Sequence, residues 1–261
     1  GHKMIRAERI EKMRSLAKEQ DIVTWAELQR YLQASKATVQ RDAEILCKAS
    51  VLRKTRGGVI FNQATDPHEL SAGAREVTNR EAKRQIAIAA LKFIQKDYFV
   101  MVDSGSTVLE AVRQLPEDIS LSTITYSLPT AVALDSKPNI EVYFAGGKLR
   151  KEFSACHGYF AENMLSQFHA DVCLLGADAV SVISGISEHN MYDVRLKQIM
   201  IENSAKVVLL ADHSKFTNSA FIHVAPLEQI DVLITDAQLD EESLREIDQR
   251  NIQLIQVEGT E

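Results

Sequence analysis

Tyr98–Gln114 reads YFVMVDSGSTVLEAVRQ. Tyr98–Val102 is an apolar run rich in aromatic and β-branched residues, of strand length; it ends in Asp103, Ser104, Gly105, Ser106 and Thr107. A helical stretch follows from Val108 to Gln114. Apolar strands recur at Ser122–Thr125, Glu141–Phe144, Val172–Leu175, Val207–Ala211 and Val232–Thr235, with helical segments between them. Near-continuous apolar strands must be covered on both faces. The expected fold is therefore α/β, with a mainly parallel sheet and ligand loops at the strand carboxyl ends.

The loop 103–107 has the composition of a phosphate cradle. Gly105 lets the backbone approach a ligand, Ser104, Ser106 and Thr107 can donate hydroxyls, and the helix that follows offers unpaired N–H groups and the positive end of its dipole. The competing reading is an ordinary turn with a helix cap. Three further loops end strands: Thr125, Tyr126, Ser127 and Leu128; Gly146, Gly147, Lys148 and Arg150; and Asp212, His213, Ser214, Lys215 and Phe216. The first can donate hydroxyls to the same ligand or simply cap a helix. The second is an anion site or a solvated basic turn. Lys215 is the preferred ligand cation, and Lys197 is a further candidate whose default is a surface helix position.

Upstream of this body the charge reverses. The 261 residues carry a net −6, but residues 1–62 hold 13 Lys and Arg against 7 Asp and Glu, a balance of +6, leaving −12 for the remainder. A basic head on an acidic body directs any polyanion to the head. Ile10, Met13, Leu16 and Ala17 place a first helix over about Ile5–Lys18, followed by a loop through Asp21. Thr24 and Glu27 form a capping-box pattern for a second helix burying Trp25, Leu28 and Leu32, and Ser35 caps a third that runs to about Lys48. On that third helix Val39, Ala43 and Leu46 share one face, with Ala37, Gln40, Arg41, Glu44 and Lys48 opposite.

A short turn followed by a polar outward face is what insertion into a DNA major groove requires. Ser35, Lys36, Thr38, Gln40 and Arg41 are the candidate contacts. Val51–Thr55 and Val59–Phe61 then read as a hairpin around Arg56, Gly57 and Gly58, whose glycines permit positive φ; this wing brings Arg53, Lys54 and Arg56 to phosphates. A three-helix protein-interaction module is the alternative. The expected boundaries are 4–62 for the winged helix-turn-helix, 63–77 for a linker, and 78–261 for the α/β body, whose first helix opens on a second capping-box pattern at Thr78 and Glu81.

Two resemblances become visible at this point. Ala26–Gly58, with Ser35, Lys36, Thr38, Val39, Arg41, Asp42, Leu46, Gly57 and Gly58, is similar to the DeoR-type helix-turn-helix of bacterial transcriptional regulators. Gln40 stands where that family usually has the first of two arginines, and Ala43 where it has leucine. The body resembles the DeoR carboxy-terminal sensor domain, a Rossmann-like fold similar to ribose-5-phosphate isomerases. The resemblance is carried by Asp103, Gly105, Ser106 and Thr107; Thr125, Ser127 and Leu128; Gly146, Gly147 and Arg150; Gly158; Gly176 and Asp178; Gly185; Lys197; and Asp212, Ser214 and Lys215. Tyr126 replaces a common asparagine and Asp193 a frequent glutamate. The resemblance implies operator DNA and a phosphorylated sugar or polyol as partners, a homo-oligomer, and repression of sugar genes, with activation as the other sign.

The rival reading is an isomerase in which Asp178 and Lys215 move protons and stabilise an enediolate. The corresponding isomerase pattern begins with an aspartate, and Leu175 stands there instead; leucine takes no proton, so binding without turnover is expected. No cofactor or metal is expected, because the histidines and Cys47, Cys156 and Cys173 lack ligand spacing. The thiols read as reduced and mostly buried. No run of about 18 apolar residues is present and no signal pattern opens the chain, so a soluble cytoplasmic protein, nucleoid-associated when on DNA, is expected. Gly1–Lys3 reads as an appended leader before Met4.

Overall fold

A computed structural model describes residues 4–16, 22–48, 52–61, 75, 78–218 and 220–258. The chain separates into two units, Gly1–Thr78 and Asn79–Glu261, and apolar clusters form within each. The expected linker, 63–77, lies outside the described residues apart from Arg75, as does Val51.

The first unit runs α1 (Arg6–Leu16), β1 (Ile22–Thr24), α2 (Trp25–Leu32), α3 (Lys36–Lys48), β2 (Leu52–Lys54) and β3 (Gly58–Phe61). The capping box forms at α2: the Thr24 hydroxyl accepts from the Glu27 N–H at 3.2 Å, and the Glu27 carboxylate accepts from the Thr24 N–H at 2.8 Å. Met13, Leu28, Leu32, Val39, Ala43 and Leu46 are fully buried, on the faces that their spacing assigns. At about 1.5–3 kcal/mol per buried large side chain, this cluster is the main source of the unit's stability.

The wing differs from the sequence expectation in two ways. Ile22–Thr24, between the loop through Asp21 and the second helix and given no strand by the sequence, is a strand paired antiparallel with β3, giving the order β1-β3-β2. Three residues carry no usable periodicity. The hairpin glycines, moreover, are not at positive φ. Gly58 is required for another reason: a Cβ there would lie 2.1 Å from the Val23 carbonyl oxygen, whereas a Cβ at Gly57 meets nothing within 4 Å.

The second unit begins with α4 (Arg80–Ala90) and a 3-10 turn, Leu91–Phe93. The Thr78–Glu81 capping box does not form, because Asn79, in the left-handed region at φ 51°, is the N-cap and makes no side-chain cap. Next come β4 (Phe99–Val102), α5 (Ser106–Gln114), β5 (Leu121–Thr125), α6 (Leu128–Asp135), β6 (Ile140–Phe144), β7 (Lys148–Arg150), β8 (Ala155–His157) and α7 (Tyr159–Leu165). β9 (Val172–Leu175), β10 (Ala179–Ser181), β11 (Gly185–Glu188), α8 (Met191–Glu202), β12 (Val207–Leu210) and α9 (Ser214–Thr217) follow. The described chain ends with β13 (Ile222–Ala225), a 3-10 turn, β14 (Val232–Thr235), α10 (Glu241–Gln249) and β15 (Gln253–Gln256).

Seven strands form one parallel sheet in the order β15-β14-β12-β9-β4-β5-β6. Alternation along each strand feeds two apolar layers. Met101, Cys173, Leu175, Leu209 and Leu233 pack with Ala161 and Leu165 of α7 and Leu196, Ile199 and Met200 of α8. Val100, Val102, Val172, Leu174, Val208 and Leu210 pack with Ile86 and Ala90 of α4 and Val108 and Val112 of α5. The sheet is covered on both faces, as strands such as VCLL and VVLL demand. The order in which strands are added reverses between β4 and β9, the kind of switch point beside which open parallel sheets bind ligands at their strand carboxyl ends.

Candidate functional site

In the first unit the turn between α2 and α3 is made by Gln33 in the left-handed region (φ 48°), with the Ala34 N–H donating to the Gln29 carbonyl at 3.2 Å. Ser35 then caps α3, its hydroxyl accepting from the Thr38 N–H at 3.4 Å and lying 3.0 Å from the Thr38 hydroxyl. Burial of Val39, Ala43 and Leu46 turns the opposite face outward: Ser35, Lys36 and Arg41 are exposed, Thr38 and Gln40 half-buried. Beneath Arg41, buried Asp42 receives Arg9 Nε at 2.7 Å, with Arg6 Nε at 3.7 Å. This pair fastens α1 to α3. Sequence reasoning gave Asp42 no such role, since nothing in the spacing links residues 9 and 42.

The wing loop is pinned to the start of α2 by the Trp25 N–H on the Gly57 carbonyl (3.0 Å) and Trp25 Nε1 on the Thr55 carbonyl (3.3 Å). Arg56 is exposed at the tip. Lys54 forms an ion pair with Glu44 of α3, so its charge is partly answered within the unit. Arg53 occupies β2, and its side chain is outside the described residues.

In the second unit the loop after β4 leads through Gly105, which supplies no side-chain cap, into α5. The first-turn N–H groups of α5 therefore receive no capping side chain from Gly105. Gly105 has φ −76° and ψ 147°, open to any residue, and an added Cβ would stand in ordinary contact at 3.5 Å from Val108 and 3.7 Å from the Gly176 Cα. The fold therefore does not require glycine there.

Asp103 and Lys197 do not line an open surface. Asp103 is fully buried, and its carboxylate accepts from Lys197 Nζ, from the Tyr126 hydroxyl, and from the Gly176 N–H at 2.8 Å. Burial pushes this carboxyl up, but the Lys197 charge and the hydrogen bonds outweigh it and hold the group below the usual carboxylate range. Lys197, expected by default on a helix surface, is 4% exposed; its ammonium also donates to the Gly176 carbonyl at 2.8 Å and meets Glu188 Oε1 at 3.2 Å. Burial opposes the charge, but Asp103 and Glu188 keep the lysine firmly protonated. Glu188 itself is pushed well up by burial and by the neighbouring Asp178. Asp103, Tyr126, Gly176 and Lys197 thus tie together the loops after β4, β5 and β9 and fasten them to α8.

The remaining candidates divide. Ser127 caps α6, its hydroxyl accepting from the Thr130 N–H at 3.4 Å, while Thr125 Oγ1 accepts from the Ser127 N–H at 3.2 Å. Tyr126 is fully buried, its hydroxyl donating to Asp103. Gly147 is held close to β8, since a Cβ there would lie 2.7 Å from the His157 carbonyl oxygen. The Arg150 guanidinium sits 3.8 Å over Phe153 and 5.2 Å from the Tyr192 ring centroid. Asp178 accepts from the His189 N–H at 3.1 Å. Lys215 lies half-buried beside Asp212, whose carboxyl burial pushes up but which Ser214, Lys215, Lys83 and Asn79 together hold low. His213, near Lys215 in sequence, turns to Asp236 at 2.6 Å.

The model of the DeoR-like helix-turn-helix domain matches residues 9–65, and that of the DeoR C terminal sensor domain matches residues 78–237. The chain belongs to the DeoR family. This DeoR-family chain is 34% identical over 252 residues to the HTH-type transcriptional regulator GlpR of Haloferax volcanii, covering 97% of this chain and 98% of the relative. It is 31% identical to the HTH-type transcriptional repressor GlcR of Bacillus subtilis, covering 99% of each, and 28% identical to the glycerol-3-phosphate regulon repressor of Escherichia coli, covering 92% and 94%. Among solved structures, ribose 5-phosphate isomerase A of Methanocaldococcus jannaschii aligns at TM-score 0.40 and 18% identity over 53% of this chain and 55% of that one. The sorbitol operon regulator SorC of Klebsiella pneumoniae aligns at TM-score 0.37 and 12% identity over 95% and 94%. The DeoR-family chain is a DNA-binding transcriptional regulator, not an enzyme. No described helix is long and apolar enough to cross a membrane.

Proposed function

We propose that this regulator represses genes for uptake or breakdown of a sugar or polyol, and that a phosphorylated intermediate of that pathway relieves the repression. The observation carrying this reading is the uncapped Gly105 loop at the sheet's switch point, with the buried Asp103–Lys197 pair at its start, in a chain whose other unit presents an outward-facing α3. Several relatives are named as repressors, one of a glycerol-3-phosphate regulon. Residues 4–62 read DNA, 63–77 link, and 78–261 bind the effector, with Ser104, Gly105, Ser106 and Thr107 taking the phosphate and Arg150 and Lys215 completing the charge. The protein acts in the cytoplasm as a homo-oligomer.

Relief requires the effector to prefer the state whose heads no longer fit the operator; a 100-fold preference supplies about 2.7 kcal/mol. Two substitutions separate the halves. Arg41→Ala is expected to weaken promoter-DNA binding by roughly 5- to 150-fold in gel shift while leaving sugar-phosphate binding intact. Lys215→Ala is expected to spare DNA affinity and abolish release by sugar phosphates. Loss of effector binding in the first, or a normal response in the second, contradicts the assignment.

Gly105→Ala is a sharper probe of the cradle. Since the added methyl meets only ordinary contacts, unfolding free energy should change by no more than about 0.5 kcal/mol. Sugar-phosphate binding, followed by calorimetry, should fall at least tenfold, because a phosphate held at this loop draws on the bare Gly105 backbone. Unchanged affinity would remove the loop from the ligand site.

A further inference from the structure

Resting on the reading above that Lys215 takes the effector phosphate, we propose that Asn79 is the positioning residue that couples the loop after β12 to the DNA-binding unit: its side chain holds Asp212, and its backbone sets the direction in which the chain leaves the sensor unit. Asn79 is the first residue of the second unit and is joined through Thr78 to the first. Its side-chain amide donates to Asp212 Oδ1 at 2.9 Å, although 133 residues separate the two in sequence. The same oxygen accepts from the Ser214 N–H at 3.0 Å and from the Ser214 hydroxyl at 2.5 Å, and Asp212 is buried. Buried Lys83 of α4 and half-buried Lys215 place positive charge beside this carboxylate.

An asparagine at a helix start normally serves that helix, with extended backbone and its side-chain oxygen on a first-turn N–H. Thr24, Ser127, Asn190 and Asp240 cap their helices in this way, at φ between −74° and −130°. Asn79 stands instead in the left-handed region, at φ 51° and ψ 42°, and makes no cap; its side chain serves Asp212. Two arrangements are open to it: the bond to Asp212 with left-handed backbone, or the local cap with extended backbone. They differ by more than about 100° of rotation about the N–Cα bond. That rotation swings the peptide joined to Thr78 and redirects the chain toward the DNA-binding unit. An effector phosphate biases the choice. By drawing the Lys215 ammonium and the Ser214 hydroxyl to its own oxygens, it leaves Asp212 more dependent on Asn79 and Lys83, since a buried carboxylate short of donors is costly. The effector therefore favours the left-handed state and DNA the other, and each ligand weakens the other by the same factor.

The test uses the full chain and a duplex that the wild type selects from a random-sequence pool. DNA affinity is read by anisotropy with and without millimolar inorganic phosphate, glycerol 3-phosphate or glucose 6-phosphate at constant ionic strength, and probe binding by the thermal midpoint. Asn79→Gly keeps the left-handed backbone available and removes the amide; Asn79→Asp, the second variant, sets a carboxylate against Asp212, and either one suffices if folded. At least one probe is expected to weaken wild-type DNA binding by roughly 5- to 150-fold and to raise the midpoint. In the variants that probe should still raise the midpoint, while DNA affinity changes less than about twofold. Variants that release DNA as the wild type does overturn the coupling and leave the effector reading standing. Variants whose midpoint no longer rises make Asn79 a part of the pocket's structure and overturn the coupling as well. A wild type whose DNA affinity no probe changes strikes the effector reading, and the coupling with it.

Discussion

Lys197→Met is expected to destabilise the sensor unit by roughly 3–5 kcal/mol at neutral pH, the largest effect of any single replacement considered. Methionine fills most of the volume, so little of the cost is a cavity. What remains is electrostatic: Asp103 and Glu188, both buried, lose an ammonium that contacts them both, and Gly176 loses a donor to its carbonyl. The sign with pH follows from Asp103. Its carboxyl lies below the ordinary range in the fold, so its stabilising contribution is present above the unfolded value near 4 and is lost as pH falls through the lowered folded value. In the variant both carboxyls can protonate, and the penalty of unpaired burial fades. Urea unfolding at several pH values should therefore show the gap between wild type and Lys197→Met narrowing on acidification. A gap independent of pH would mean that packing, and not charge, sets the cost.

Gly58→Ala is expected to detach the wing and to reduce DNA affinity at least tenfold. The new Cβ would stand 2.1 Å from the Val23 carbonyl oxygen and 2.7 Å from the Thr24 Cα. Both are backbone atoms in the strand paired with β3, so no side chain can swing aside and the β1–β3 ladder must open. The same shift strains the Gly57 carbonyl contact that pins the loop to Trp25. Gly57→Ala is the matched control, since its Cβ meets nothing, and should behave as wild type in anisotropy titrations with promoter DNA. Sugar-phosphate binding by the second unit should be unaffected in both. Equal behaviour of the two variants would show that the close approach at Gly58 is not what holds the wing.

The missed elements share a physical cause. β15, Gln253–Gln256, is an edge strand whose residues are half or fully exposed, so it lacks the apolar continuity that betrayed Val172–Leu175 and Val207–Leu210. The short strands β7, β8, β10, β11 and β13 are three or four residues each, below the length at which alternation can be told from chance. The Thr78–Glu81 pattern was a false signal because Asn79 turns the chain one residue later. The interior brace was hidden for a different reason. Asp103 is 94 residues from Lys197, and Tyr126 departs from the usual family residue at the position that contacts both the sheet and the aspartate.

For the Tyr98–Gln114 stretch, local order and apolar rhythm were enough to place a strand, a turn and a helix and to imply a parallel sheet, since burial on both faces leaves a continuous apolar imprint on the chain. The basic head, its second and third helices and the outward set from Ser35 to Arg41 were legible for the same reason: helical periodicity is a local property. What only tertiary structure decided is which loop residues face outward and which face one another. Asp103 and Lys197, both read from the sequence as ligand groups, prove to be each other's partners, because pairing between residues far apart in the chain depends on which strand ends the sheet order brings together. The loop 103–107 remains the candidate cradle, with no side-chain cap from Gly105 and a buried ion pair at Asp103.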